Sequence, residues 1–255
     1  MPLERGFNNY YSSIRRHSET HSVVIAFIMN LKMEKDTLNR ILEYMKVCMN
    51  DAAHDILHVY RVANQAMLIA QNYENDVDND VLLVSCLLHD IGRKAQFENP
   101  TLCHAQVGAD MAYQFMGSLG FEEDFCNKVH HCIKSHRYRK NNTPESIEAK
   151  ILFDSDKLDI TGALGISRTL LYKGQVNEPL YAVDENNVVY TTEATQPESF
   201  IKEYHFKLSK VYDKFYTKEA FSIAQKRKKL TESFYEELIS EIDTQEICNI
   251  LDVLQ

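Results

Sequence analysis

The sequence predicts an all-α protein, and three observations carry that prediction. Glycine and proline are scarce, eight and five in 255 residues, which leaves little punctuation for the many short strands of a β fold. Apolar residues recur at three- and four-residue spacing over most of the chain, the period of one helix face. The stretches between breakers are rich in Leu, Ile, Ala, Glu and Lys, which favour helix where packing does not decide. With 44% apolar and 25% charged residues, the composition is that of a globular chain able to bury a substantial core.

The elements follow in order. Residues 1–30, with Tyr10, Tyr11 and the apolar run Val23–Met29, read as a helical lead-in. Lys32–Asn50 is amphipathic through Leu38, Ile41, Leu42, Met45 and Met49. Asp55–Tyr73 places Val59, Val62, Ala63, Ala66, Met67 and Ala70 on one face. Val81–Ile91 is apolar all round, which marks a helix in the middle of a bundle, and Gly92 is a natural stop. Helical patterns then cover His104–Leu119, Glu122–His136 and Pro144–Ile160, the last with Thr143 as N-cap and Pro144 in the first turn. Residues 174–197 break the period. They hold two prolines, the turn-like run Asp184 to Asn187 and a β-prone stretch from Val188 to Thr192, an insertion long enough for a lid or a surface loop. Phe200, Tyr204, Leu208, Val211 and Phe215 trace one further helix face, and a last helix runs from Lys218 to Ile242. The expected organisation is an N-terminal lead-in (1–30), a helical core (31–175), and an insertion with C-terminal helices packed on the same domain (176–255).

Charge and cysteines narrow the function classes. A net charge of −9 gives no support to general nucleic-acid binding, which needs a basic surface. The basic run Lys226–Lys229 could meet an acidic partner, but on a long amphipathic helix it reads first as a solvated face. None of the six cysteines forms a C-x-x-C pair, so reduced thiols are expected rather than a disulfide framework. Val23–Met29 is too short to span a bilayer, and no secretory pattern precedes it. The expectation is a cytoplasmic protein with no membrane association; an oligomer is compatible with the sequence.

Seven of the ten histidines fall between His54 and His136, and three segments give them company. His89–Asp90 ends the most apolar helix, where an imidazole and a carboxylate without partners would be costly. Two readings stand level there: a divalent cation that takes both groups as ligands, or a mutual hydrogen bond capping the helix. Upstream, His54-Asp55-x-x-His58-x-x-Arg61 puts two histidines four apart on one face with an arginine a turn beyond. That pattern suits either a metal-bound phosphate gripped by a guanidinium or a surface histidine pair. Third, Asp154-Ser155-Asp156-Lys157-Leu158-Asp159 carries three carboxylates among apolar neighbours, with Asp156 and Asp159 on one helix face. The small residues of Gly162-Ala163-Leu164-Gly165 after them would let another helix approach closely.

In this order the three segments resemble the HD superfamily of metal-dependent phosphohydrolases, an all-α fold, from about residue 50 to 175. The H-D-x-x-H-x-x-R-V, L-L-H-D-I-G and D-x-D-K-L-D-x-x-G-A-x-G-I-x-R stretches are similar to those of bacterial stand-alone members. The resemblance implies that His58, His89, Asp90 and Asp156 bind a first divalent metal, with Asp90 placed to bridge to a second. His104 and His136 fall where many relatives add second-site ligands, His130 and His131 being rivals for the latter position; lining the pocket or bonding substrate is an equal alternative. The His54–Asp55 pair would act from outside, Asp55 orienting a ligand histidine or pairing with Arg61. The metal would be Mn, Fe, Co or Ni, with Mg or Zn as further candidates. The implied reaction is hydrolysis of a phosphoester, of a nucleotide or small phosphorylated metabolite, by metal-activated water. Asp90, Arg61, Lys94 and Asp159 are the expected catalytic residues, and Arg61, Arg93, Lys157 and Arg168 the expected phosphate contacts. Arg93 and Lys94 also read as a cationic helix C-terminus. The Gly-Tyr-Pro signature of cyclic-di-GMP hydrolases is missing after His136. Two other functions remain in view: a di-iron oxygenase on the same fold, and a non-catalytic module that senses a nucleotide or binds a protein.

Overall fold

The computed structural model describes residue 24 and residues 26–49, 56–73, 76–137, 142–186, 188–191 and 195–242. Most of the N-terminal lead-in, the His54–Asp55 pair and Cys248 lie outside the described residues. Among those described, the only regular elements are helices: a short helical stretch at 26–29, then α1 (Lys35–Cys48), α2 (Ile56–Ala70), α3 (Asn79–Leu88), α4 (Arg93–Glu98), α5 (His104–Ser118), α6 (Glu123–Ser135), α7 (Ile147–Leu158), α8 (Gly162–Gln175), α9 (Phe200–Phe206) and α10 (Lys218–Glu241). The all-α expectation holds. The chain forms two compact units, residues 1–156 and 157–255, the boundary falling in the last turn of α7.

In the first unit α3 is the central element and packs against α1, α2, α5 and α6. Every residue from Asp80 to Leu88 is buried, as an all-round apolar helix requires. Each of its Val and Leu side chains contributes about 1.5–3 kcal/mol of burial. Asp78 starts the helix by accepting hydrogen bonds from the N–H groups of Asp80 and Val81 at 3.1 and 3.2 Å. Asp80 is buried because it accepts from the backbone N–H groups of Lys32 and Met33, tying the lead to α1 onto α3. The apolar faces of α1 and α2 sit where their spacing put them: Ile41, Met45, Val59, Val62, Ala63, Ala66, Met67 and Ala70 are all buried.

Three local expectations are corrected. Helix α3 ends at Leu88, and His89–Gly92 form a tight turn before α4. Gly92 has φ −83°, so it is not the left-handed stop that the sequence suggested. A Cβ on it would lie 2.3 Å from the His104 carbonyl oxygen and 2.5 Å from the Gly108 nitrogen, and glycine is needed there for close approach. Helix α7 begins at Ile147 rather than near Pro144, because the Ser146 hydroxyl accepts from the Ala149 N–H and does the capping. The single helix expected from Phe200 to Phe215 is instead α9 followed by a 3₁₀ turn at Leu208–Lys210. That break lets Tyr212 bury its ring with its hydroxyl bonded to the Gly162 N–H and to Thr231.

In the second unit Ile166, Phe200, Ile201, Tyr204 and Leu208 make a core, with Tyr235 stacked on Tyr204 at 4.0 Å between centroids. Gly162 takes φ +65°. Gly165 sits where a Cβ would meet the Ile160 carbonyl oxygen at 2.3 Å, so its own preceding turn, not another helix, demands the glycine. Within the insertion, Val183 and Val189 form an isolated antiparallel bridge. The Asp184 carboxylate closes that turn by accepting from the N–H groups of Asn186 and Val188.

Candidate metal centre

The first unit gathers six side chains from five places in the sequence. His58 comes from the first turn of α2, His89 and Asp90 from the turn after α3, and His104 is the first residue of α5. His136 caps the end of α6 and Asp156 lies in the last turn of α7. His58, His89, Asp90, His104 and His136 are all less than 5% exposed. They form two groups whose ligand-type atoms lie within 4.8 Å of one another: His58, His89 and Asp156, and then Asp90, His104 and His136.

Asp90 stands between the groups. Its Oδ2 lies 3.5 Å from His58 Nε2 and 3.4 Å from His89 Nε2, while Oδ1 lies 3.6 Å from His104 Nε2 and 3.7 Å from His136 Nε2. His58 Nε2 is also 3.4 Å from Asp156 Oδ1 and 3.3 Å from His89 Nε2. The carboxylate thus turns one oxygen to each group.

Three of the imidazoles have their tautomer fixed from behind. His89 Nδ1 bonds to the Cys86 carbonyl at 2.8 Å, His136 Nδ1 to the Ile133 carbonyl at 2.6 Å, and His104 Nδ1 to Gln96 Oε1 at 2.5 Å. Since a carbonyl oxygen only accepts, the proton sits on Nδ1 when these rings are neutral. Nε2 then carries a lone pair aimed into the cluster, the arrangement a metal ligand needs. Burial, with the Arg93 charge adding to it at His104, brings His104 down to about 3 and His136 down to about 4. Both rings are therefore neutral near pH 7. Burial pushes the Asp90 carboxyl up, but its histidine neighbours and the Arg93 guanidinium outweigh it and hold the group well below the usual carboxylate range.

The donor set fits a divalent cation. Asp90 Oδ1 and His104 Nε2 are buried and have no hydrogen-bond partner, although an unsatisfied buried polar atom costs roughly 1–3 kcal/mol. Both atoms carry lone pairs, so they cannot satisfy each other, whereas one cation between them satisfies both.

The remaining sequence-derived candidates are placed as follows. Arg93 opens α4 and its Nε bonds to Asp90 Oδ2 at 2.5 Å, so the arginine belongs to a helix N-terminus rather than a C-terminus. Lys94 is exposed on the same turn, and Arg61 is half-buried on α2 one turn beyond His58. His131 accepts from the Glu145 N–H and His130 pairs with Asp110 at 2.9 Å; neither belongs to the two groups. In the second unit Asp159 follows the end of α7 instead of sharing its face with Asp156, and it is ion-paired with Arg168; Lys157 is half-buried. Gln96 was not found by sequence reasoning. Nothing in its local pattern marks it, since its role depends on α4 lying against the start of α5.

The architecture and centre define a helical protein with a buried histidine–aspartate site suited to divalent cations. The HD-domain family model matches residues 56–161, which span all six of these side chains. The structure of a predicted HD-superfamily hydrolase from an uncultured Thermotogales bacterium is 27% identical, with a TM-score of 0.55, over 80% of this chain and 92% of that one. A second HD-superfamily hydrolase structure, from Bacillus thuringiensis, is 25% identical, with a TM-score of 0.62, over 84% of this chain and all of the other. YpgQ of Bacillus subtilis is 26% identical over 195 residues, 75% of this chain and 85% of YpgQ. Its structure has been solved in complex with ADP and aligns with a TM-score of 0.61 over 81% of this chain and 98% of that one. Residues 56–161 of the chain thus match the HD domain, and the chain as a whole is similar to proteins described as HD-superfamily hydrolases. No described helix is long and apolar enough to cross a membrane.

Proposed function

We propose that this protein is a metal-dependent phosphohydrolase that cleaves a phosphoester of a nucleotide or small phosphorylated metabolite. The observation that carries the reading is Asp90, one oxygen turned to each ligand group and one of those oxygens buried without a partner. His58, His89 and Asp156 would hold one cation, His104 and His136 a second, and Asp90 would serve both. Bound there, divalent cations supply an acidified water and polarise a phosphoryl oxygen. Mixed imidazole and carboxylate donors suit Mn, Fe, Co or Ni.

The protein's own groups do the rest. The cluster is buried, so bulk water is kept from the ligand atoms and charges there act at low dielectric. Arg93, 42% exposed along its side chain, carries a guanidinium beside Asp90 that can donate to phosphate oxygens in bidentate fashion. Arg61, one turn from His58, is a second guanidinium for the same task. A nucleotide substrate is favoured by the ADP bound to YpgQ. Elemental analysis, run beside metal-supplemented phosphate release from a panel of nucleotides and phosphate esters, tests the reading. One or two divalent ions per chain with metal-dependent release are expected. Iron with oxygen consumption and no phosphate release would replace it with the oxygenase, and a protein that takes up no metal would overturn it.

A further inference from the structure

Helix α4 is only six residues long, yet it bonds to two of the three members of the second ligand group. Arg93 bonds to Asp90, and three residues on, along the same face, Gln96 bonds to His104. His104 differs from the other two oriented imidazoles in where its support comes from. His89 and His136 each bond to a carbonyl three residues earlier in their own chain, in the last turn of the helix they follow. His104 begins its helix, so no preceding turn of α5 offers such a carbonyl, and a side chain from another element takes that role.

We propose that Gln96 is the positioning residue on which the second cation site depends. By accepting the Nδ1 proton of His104, its amide oxygen leaves Nε2 with its lone pair facing Asp90 Oδ1. The opposite orientation of the amide would donate to Nδ1 and place the ring proton on Nε2, which could not then bind a cation. Gln96 bonds to a member of the second group, whereas the first group's His89 takes its support elsewhere. That support is main chain, so occupancy of the two sites is separable by changing one half-buried side chain.

This inference rests on the two-cation reading above. Its test is titration of Mn²⁺ into metal-stripped full-length protein, followed by calorimetry and by the electron paramagnetic resonance of free Mn²⁺. Wild type is expected to take up two equivalents. Gln96→Leu should keep one and weaken the other by about 10- to 100-fold, the usual effect of losing a partner that orients a ligand. Gln96→Glu, which can accept but not donate, should restore the second equivalent to wild-type affinity or better. Wild type and Gln96→Leu titrating alike with two equivalents would overturn the proposal alone, as would failure of Gln96→Glu to rescue. Wild type limited to one equivalent would overturn it together with the two-cation reading.

Discussion

Replacing Gly92 by alanine adds one methyl group at the point where the turn after α3 meets the start of α5. That methyl would sit 2.3 Å from the His104 carbonyl oxygen and 2.5 Å from the Gly108 nitrogen. Both neighbours are main chain and cannot swing aside as a side chain would. Real Cβ contacts do not close below 3.0 Å, so the α5 end must open by at least about 0.7 Å. Ligand distances in a working metal site hold to about 0.2 Å, and His104 is the residue whose carbonyl is struck. The expected result of Gly92→Ala is loss of the second cation equivalent with retention of the first, whose His58, His89 and Asp156 do not lie on α5. Overpacking of this kind costs about 1–3 kcal/mol, which in a unit of this size lowers the melting temperature by roughly 2–12 °C. Thermal melts and Mn²⁺ titration on the same preparation measure both effects. A Gly92→Ala protein that melts with wild type and binds two equivalents at wild-type affinity would refute the reasoning.

Other perturbations give separate readings. Asp90→Ala removes the one carboxylate common to both groups and should abolish metal content and turnover together; an active, metal-loaded variant would sink the site assignment. In the metal-stripped protein, His104 at about 3 and His136 at about 4 lie below their ordinary 6.5 because burial penalises the imidazolium. Between those values and 6.5 the unfolded chain binds protons that the folded chain does not, so stability should fall as pH drops through that window. Urea midpoints at roughly pH 7 and roughly pH 5 check the sign, and a midpoint that rises on acidification would contradict it. Tyr212→Phe deprives the buried Gly162 N–H and the Thr231 hydroxyl of their shared partner. A loss of about 1–3 kcal/mol is expected, with metal binding at the first unit unchanged; a neutral variant would show that water replaces the hydroxyl.

The sequence by itself determined a good deal. Helical periodicity placed the buried faces of α1 and α2, and the all-round apolar run of α3 announced the most enclosed helix, because burial leaves a direct record in the spacing of apolar residues. The order of His58, His89–Asp90 and Asp156 in three linked segments carried the resemblance to the HD superfamily, whose domain model matches residues 56–161. The same sequence left three things to the tertiary structure. Gly92 reads locally as a helix stop, and only the proximity of α5 shows that it is a contact point. Asp156 and Asp159 look equivalent at three-residue spacing, but α7 ends between them, and Asp159 goes to Arg168 while Asp156 joins His58. Gln96 carries no sequence signal at all. Its function is a hydrogen bond across eight residues and two elements, and periodicity records which face of a helix is buried, not which side chain on a neighbouring helix will meet it.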